Sequence, residues 1–207
     1  MPQQKVYLMI LDGFGEGKDY PGNAITHAKT PNLNHLKKEY PWTLLKANGL
    51  AVGLPEGTQG GSEVGHFTIG SGRVIFQTLE EINQSIRDKS FFEKKPLLDA
   101  MKKVKTHRSA SLHLIGMISD AGIHSHLNHL FALLQLAKQH SIAKIYIHAI
   151  TDGRDVPEKS AKKFLKSIDE KIKTLKMNGM NATSQAKIAT IIGRFYAMDR
   201  DQNWDRT

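Results

Sequence analysis

Cysteine is missing from all 207 residues. Its absence excludes disulfides, thiolate metal centres and cysteine nucleophiles, and it fits a reducing compartment. Long apolar runs are missing as well. The first apolar stretch, residues 6–11, closes at Asp12, well short of a secretion signal's core or of the ~20 residues that span a bilayer. A soluble cytoplasmic protein with no membrane partner is the expectation. Acidic side chains are in deficit: 20 Asp and Glu against 29 Lys and Arg leave a formal net charge of +9. Much of that excess lies in residues 94–105 and 159–176. In the second segment Ala161, Phe164, Leu165, Ile168, Ile172 and Leu175 recur at helical spacing, which leaves the lysines on a solvated opposite face. No nucleic-acid-binding motif accompanies them, so a small anionic substrate is favoured over DNA or RNA. With 40% apolar and 24% charged residues, the chain suits a folded core rather than wholesale disorder.

What is present is an alternation of strand and helix signals. Residues 5–11 form a continuous apolar run, the mark of a strand buried on both faces, and Asp12 stands at its carboxyl end. Thr30-Pro31 opens a helix that runs to Glu39, with Thr30 as N-cap and Pro31 in the first helical position. Residues 43–46 make a short strand candidate, and 77–87 and 96–105 read as helices. From residue 109 onward the order is strand (110–118), helix (125–140), strand (144–150), helix (157–176) and strand (187–192). Such alternation means βαβ units and a parallel sheet with flanking helices, the α/β class.

Two features carry chemistry. The first is Gly60-Gly61-Ser62, where glycines allow a sharp turn into a helix whose N-terminus favours an anion. Ser62 there is either an ordinary N-cap or a nucleophile toward phosphate. Asp12 likewise either begins an Asp-Gly turn or supplies a carboxylate to a hard metal ion. The second feature is a set of polar residues after three successive strands: Ser119, Asp120 and His124; Asp152, Gly153, Arg154 and Asp155; then Arg194 and Arg200. Ligands of open α/β sheets bind at the carboxyl ends of the strands, so these sets are expected to converge. Arginines grip phosphate or carboxylate, histidine donates to phosphoryl oxygens, and Asp155 can take a proton from a hydroxyl. The site reads as one for a small, doubly anionic, hydroxylated molecule. His126 and His129 fall in the leucine-rich helix, where a core or surface role is expected of them rather than metal ligation.

Taken together, the segments 8–15 (LMILDGFG), 53–57 (GLPEG), 62–66 (SEVGH), 119–126 (SDAGIHSH), 151–157 (TDGRDVP) and 193–201 (GRFYAMDRD) resemble the cofactor-independent phosphoglycerate mutases of the alkaline-phosphatase-like superfamily. The blocks stand in family order over essentially the whole chain. The resemblance implies interconversion of 2-phosphoglycerate and 3-phosphoglycerate in glycolysis and gluconeogenesis through a phosphoserine. It also implies two metal ions, usually Mn2+, and a monomer when complete. Carried over by motif, Ser62 is the nucleophile and, with Asp12, a metal ligand. His124, Arg154, Asp155, Arg194 and Arg200 hold substrate together with Ser62, and Asp155 is the base and acid at the glycerate hydroxyls.

This chain departs from the family pattern in two respects. Gly61 stands where the family usually has asparagine before the nucleophile. The chain also ends at Thr207, whereas family members are more than twice as long. The implied organisation is residues 1–77 as the N-terminal part of the metal-binding phosphatase-like domain and 78–207 as part of an inserted phosphoglycerate-binding domain. The chain by itself is then expected to be an incomplete and inactive portion of the enzyme. The rival readings are a metal-dependent phosphatase or phosphosugar mutase of the same superfamily, and a basic nucleic-acid-binding or structural domain.

Overall fold

A computed structural model describes residues 5–107, 109–177, 185–198 and 201–206. The chain divides into two units, Met1–Phe76 and Gln77–Thr207.

In the first unit three helices are the regular elements: α1 (Ala24–His27), α2 (Pro31–Glu39) and α3 (Ser62–Ser71), with a 3-10 turn at Gly49–Val52. Helix α2 has the expected bounds, with Thr30 as N-cap and Pro31 at its start, although the Thr30 hydroxyl makes no capping bond. Two expectations fail. Residues 5–11 are not a buried strand: Val6 is 91% exposed and Leu8 71%. Residues 43–46 are not a strand either, and Leu45 is 86% exposed. A strand is defined by hydrogen bonds to a neighbour, and among the described residues of this unit no second strand offers them. An apolar run supplies only the side chains for burial, and the pairing partner must come from elsewhere. Asp12 therefore sits not at a strand end but at the head of a turn, closed by the Phe14 N–H donating to the Leu11 carbonyl at 3.1 Å, with Gly13 at φ +76°.

The second unit follows the sequence pattern closely. Its helices α4 (Thr78–Arg87) and α5 (Lys95–Thr106) precede β1 (Leu112–Ile118). Then come α6 (Leu127–Gln139), β2 (Lys144–Thr151), α7 (Ala161–Met177), β3 (Gln185–Gly193) and the single-turn α8 (Arg194–Ala197). The strands pair in parallel in the order β1-β2-β3. Leu112, Leu114, Ile145, Ile147, Ala149 and Ala186 point to one face. They pack with Met101 of α5, Leu134 and Leu136 of α6, and Phe164, Ile168, Ile172 and Leu175 of α7. Each of those helical residues lies on the apolar stripe its spacing marks out, and their burial at ~25 cal/mol per Å2 drives the packing. The other face is polar along one row. His113 Nδ1 lies 2.9 Å from His148 Nε2, and His148 Nδ1 lies 2.9 Å from the Thr190 hydroxyl. Ile115, on that face, is 75% exposed.

A second polar device ties α4 to α6. Glu80 is buried, with its side chain 2% exposed, and it accepts from Arg87 Nη2 at 2.5 Å and from Asn83 Nδ2 at 3.2 Å. Asn83 Oδ1 in turn accepts from His129 Nε2 at 2.8 Å. Burial alone would raise the Glu80 carboxyl, but the bonds from Arg87 and Asn83 outweigh it and hold the group below its usual range. His129 is pushed down by burial and by neighbouring His126. His126 is the N-cap of α6, its Nδ1 accepting the Asn128 N–H at 3.1 Å. Both histidines thus serve structure, as the apolar helix around them implies.

Candidate functional site

The first unit holds a cleft of about 350 Å3 lined by Asp12, Gly13, Gly60, Gly61, Ser62 and His66 among others. Ser62 is the first residue of α3 and Gly61, in extended backbone, is the N-cap. The serine is therefore not the cap itself. It stands one position inside the helix, where unpaired N–H groups gather. The two glycines before it differ in kind. A Cβ on Gly60 would lie 1.7 Å from the Ala47 carbonyl oxygen, whereas one on Gly61 meets nothing within 4 Å. Only Gly60 is demanded by packing.

His66, one helical turn on, has Nδ1 2.8 Å from the Ser62 carbonyl oxygen and 3.2 Å from the Ser62 hydroxyl. A carbonyl only accepts, so the closer contact places the proton on Nδ1. That nitrogen then has no lone pair to take the serine proton, and His66 is not the base for Ser62 in this arrangement. Asp12 and Ser62 bring a carboxylate and a hydroxyl oxygen to one cleft. Such donors suit a hard divalent cation, as part of its coordination shell. Among the described residues no group of three or more His, Cys, Asp or Glu stands where it could hold a metal.

In the second unit the polar sets after the three strands do converge. Asp152, just past β2, has a fully buried side chain. Its Oδ2 accepts the Ser119 hydroxyl at 2.8 Å, from the end of β1. Its Oδ1 accepts Arg194 Nη1 at 2.8 Å, from the end of β3, and the N–H groups of Arg154 and Asp155 at 3.0 and 3.1 Å. The turn between them is made possible by Gly153 at φ +93°. Arg194 Nη1 also donates to Asp155 Oδ2 at 2.7 Å, and His124 Nε2 lies 3.6 Å from the same oxygen. Asp120 pairs instead with Lys163 at 3.2 Å. Arg154 presents an exposed side chain at this edge.

The electrostatics follow from the contacts. Burial would raise the Asp152 carboxyl above its ordinary 3.8, yet the bonds from Arg194, the Asp155 and Arg154 N–H groups and Ser119 win and hold it at about 2. Arg194 is pushed up by Asp155 and Asp152. The Asp152 carboxylate is thus a permanent anion set between guanidinium and backbone dipoles, with no open side toward solvent.

Of the residues expected at the site, Asp12 and Ser62 share the cleft of the first unit. His124, Arg154, Asp155 and Arg194 share the sheet edge of the second, and Arg200 lies outside the described residues. The sequence names Asp152 and Ser119 among the polar residues after the strands but does not single them out as the centre of the cluster. The Asp-Gly pair at the end of a buried strand is the one local signal for that role.

The family description "BPG-independent PGAM N-terminus" matches residues 82–207. A 2,3-bisphosphoglycerate-independent phosphoglycerate mutase of Methanosarcina barkeri is 52% identical over 99% of this chain and 38% of its own length. Its counterpart from Clostridioides difficile is 47% identical over 100% of this chain and 38% of its own length. The chain thus spans well under half the length of the curated relatives it matches. Among solved structures, phosphoglycerate mutase of Leishmania mexicana, crystallised at low cobalt concentration, superposes with a TM-score of 0.65 at 30% identity, covering 96% of this chain and 36% of that one. With the parallel sheet and the matched residues in hand, the chain belongs to the BPG-independent phosphoglycerate mutase family and corresponds to its N-terminal portion.

Proposed function

We propose that the chain is the serine-bearing and phosphoglycerate-holding part of an enzyme that interconverts 2-phosphoglycerate and 3-phosphoglycerate in cytoplasmic glycolysis. The observation that carries this reading is the gathering of His124, Asp155 and Arg194, with exposed Arg154 beside them, at the carboxyl ends of three parallel strands. Two guanidinium groups and an imidazole match the phosphate and carboxylate of the substrate. Asp155, the one carboxylate of the group with an open side, accepts a proton from a glycerate hydroxyl and returns it to the other glycerate oxygen.

In the same reading the cycle starts with Asp155 protonated and with Ser62 as the alkoxide, its proton already lost to solvent. Ser62 Oγ attacks phosphorus while the bond from phosphorus to the glycerate oxygen breaks, and that oxygen takes the proton from Asp155. The second half reverses this at the other hydroxyl: Asp155 takes its proton as the oxygen attacks the phosphoserine and Ser62 is released. Asp12 and Ser62 would hold manganese, which when bound lowers the pKa of the serine hydroxyl and offsets phosphoryl charge. Since the two bring only part of a coordination shell, the isolated chain turns over little or no substrate.

Calorimetric titration of the chain with 3-phosphoglycerate tests the binding half of the proposal. Arg154→Ala is expected to weaken binding by about ten- to a hundredfold, the worth of a charge-assisted contact. Unchanged affinity removes Arg154 from the site. A coupled assay of the chain with manganese tests the rest, and robust turnover by the chain alone would overturn the incompleteness of its metal site.

A further inference from the structure

We infer that Asp152 is the positioning residue of the phosphoglycerate site, a buried anion that keeps Asp155 available by holding Arg194 away from full engagement with it. This rests on the reading that Arg194 and Asp155 hold phosphoglycerate.

The inference comes from topology. Ser119 follows β1, Asp152 follows β2 and Arg194 follows β3, so one carboxylate ties together the ends of all three strands. The Asp152 side chain has no exposed surface and so does not touch a ligand. Its influence passes through two routes. Its Oδ1 receives both N–H groups of the turn that carries Arg154 and Asp155, fixing where those side chains leave the backbone. It also shares Arg194 Nη1 with Asp155, at 2.8 and 2.7 Å. A guanidinium nitrogen divided between two carboxylates neutralises each only in part. Without the Asp152 charge, Asp155 is left as the sole counter-ion of Arg194, and it loses the acceptor capacity a glycerate hydroxyl requires.

Charge and hydrogen bonding are separable here. In Asp152→Asn the amide oxygen keeps the place of Oδ1 and its three donors. The new NH2 group faces the Ser119 hydroxyl, which rotates to accept instead of donate. Ser119 already accepts the Ala121 N–H at 3.2 Å and retains a second lone pair for this. The fold is therefore kept while the charge is removed. The cluster of Arg154, Arg194, Asp152 and Asp155 goes from balanced to one net positive charge.

The test compares the full chain and its D152N variant for binding of 3-phosphoglycerate and of inorganic phosphate, with circular dichroism as the check on folding. The expected result is a loss of about tenfold for 3-phosphoglycerate, with phosphate bound as well as before or more tightly. The selectivity between the two ligands is a readout that a merely structural role does not move. Affinity for 3-phosphoglycerate within twofold of the parent overturns the inference. So does an equal loss for both ligands. The 15N signals of the Arg194 guanidinium give an independent reading, since they move in D152N if Asp152 holds that group. If the parent chain binds no 3-phosphoglycerate, the functional reading fails, while an Arg194 signal indifferent to D152N sinks the positioning role by itself. Should D152N not fold, Ser119→Ala removes the bond to Oδ2, together with the one from the Ala121 N–H, while leaving every Oδ1 contact in place, and is expected to cost about threefold in the same selectivity. No change there also overturns the inference.

Discussion

Acid should weaken the second unit through Asp152 in a defined window. The perturbation is pH, with D152N as the control that lacks the titrating group. The folded carboxyl lies at about 2 against an ordinary 3.8, and its side chain is fully buried, so solvent does not screen the contacts that hold it there. Every tenfold change in proton affinity between the unfolded and folded chain is worth ~1.36 kcal/mol, which gives roughly 2 kcal/mol of stability from this group. Because the folded pKa is depressed, that stability is fully present above the unfolded value and is lost as pH falls toward the folded one. The loss begins near pH 5, and roughly 1.5 kcal/mol of it is gone by pH 2.5. Urea denaturation of the full chain, followed by circular dichroism from pH 6 to pH 2.5, measures it. Glu80, also held below its usual range, adds to the acid sensitivity of both proteins, so the quantity to read is the difference between parent and D152N. That difference should shrink by roughly 1.5 kcal/mol across the window. If it stays constant, the Asp152 carboxylate is not held in its ionised form by the contacts around it, and the electrostatic account of the cluster is wrong.

The glycine pair, the buried glutamate and helix α7 each give a further outcome. Gly61→Asn places an amide before Ser62, and a Cβ at that position meets no neighbour within 4 Å, so its melting temperature should match the parent's. Gly60→Ala drives a methyl into the Ala47 carbonyl and should lower that temperature measurably. Arg87→Ala strands the buried Glu80 carboxylate and is expected to cost about 2 kcal/mol in urea denaturation. Adding Glu80→Gln to it should recover part of that loss. Ile168, fully buried in α7, should cost about 3 kcal/mol when cut to alanine, and a cost below about 1 kcal/mol would mean that α7 is not packed on the sheet as described.

Much of the second unit is legible in the order of its residues. Apolar spacing marks α4 to α7 and β1 to β3 to within a few residues, because helical and strand periods are local properties that tertiary packing here reinforces. Strand-helix alternation requires a parallel sheet, and a parallel sheet sends every strand's carboxyl end to one edge. That is why His124, Arg154, Asp155 and Arg194 belong together before any distance is known. The same reasoning fails for residues 5–11, since an apolar run does not carry its own hydrogen-bonding neighbour.

Other features exist only where several elements meet, and no local pattern announces them. The row from His113 through His148 to Thr190 needs the strand register. The burial of Glu80 needs the seating of α4 against α6. The proton on His66 Nδ1 needs the helical turn that brings the Ser62 carbonyl within reach. Above all, the one local signal at Asp152, an Asp-Gly pair after an apolar run, is shared by Asp12 and does not set the buried carboxylate apart from an aspartate that begins a turn. Only where three strand ends meet do Ser119, Arg194 and two backbone N–H groups close around one carboxylate, and it is their combined donors that outweigh the cost of burying its charge.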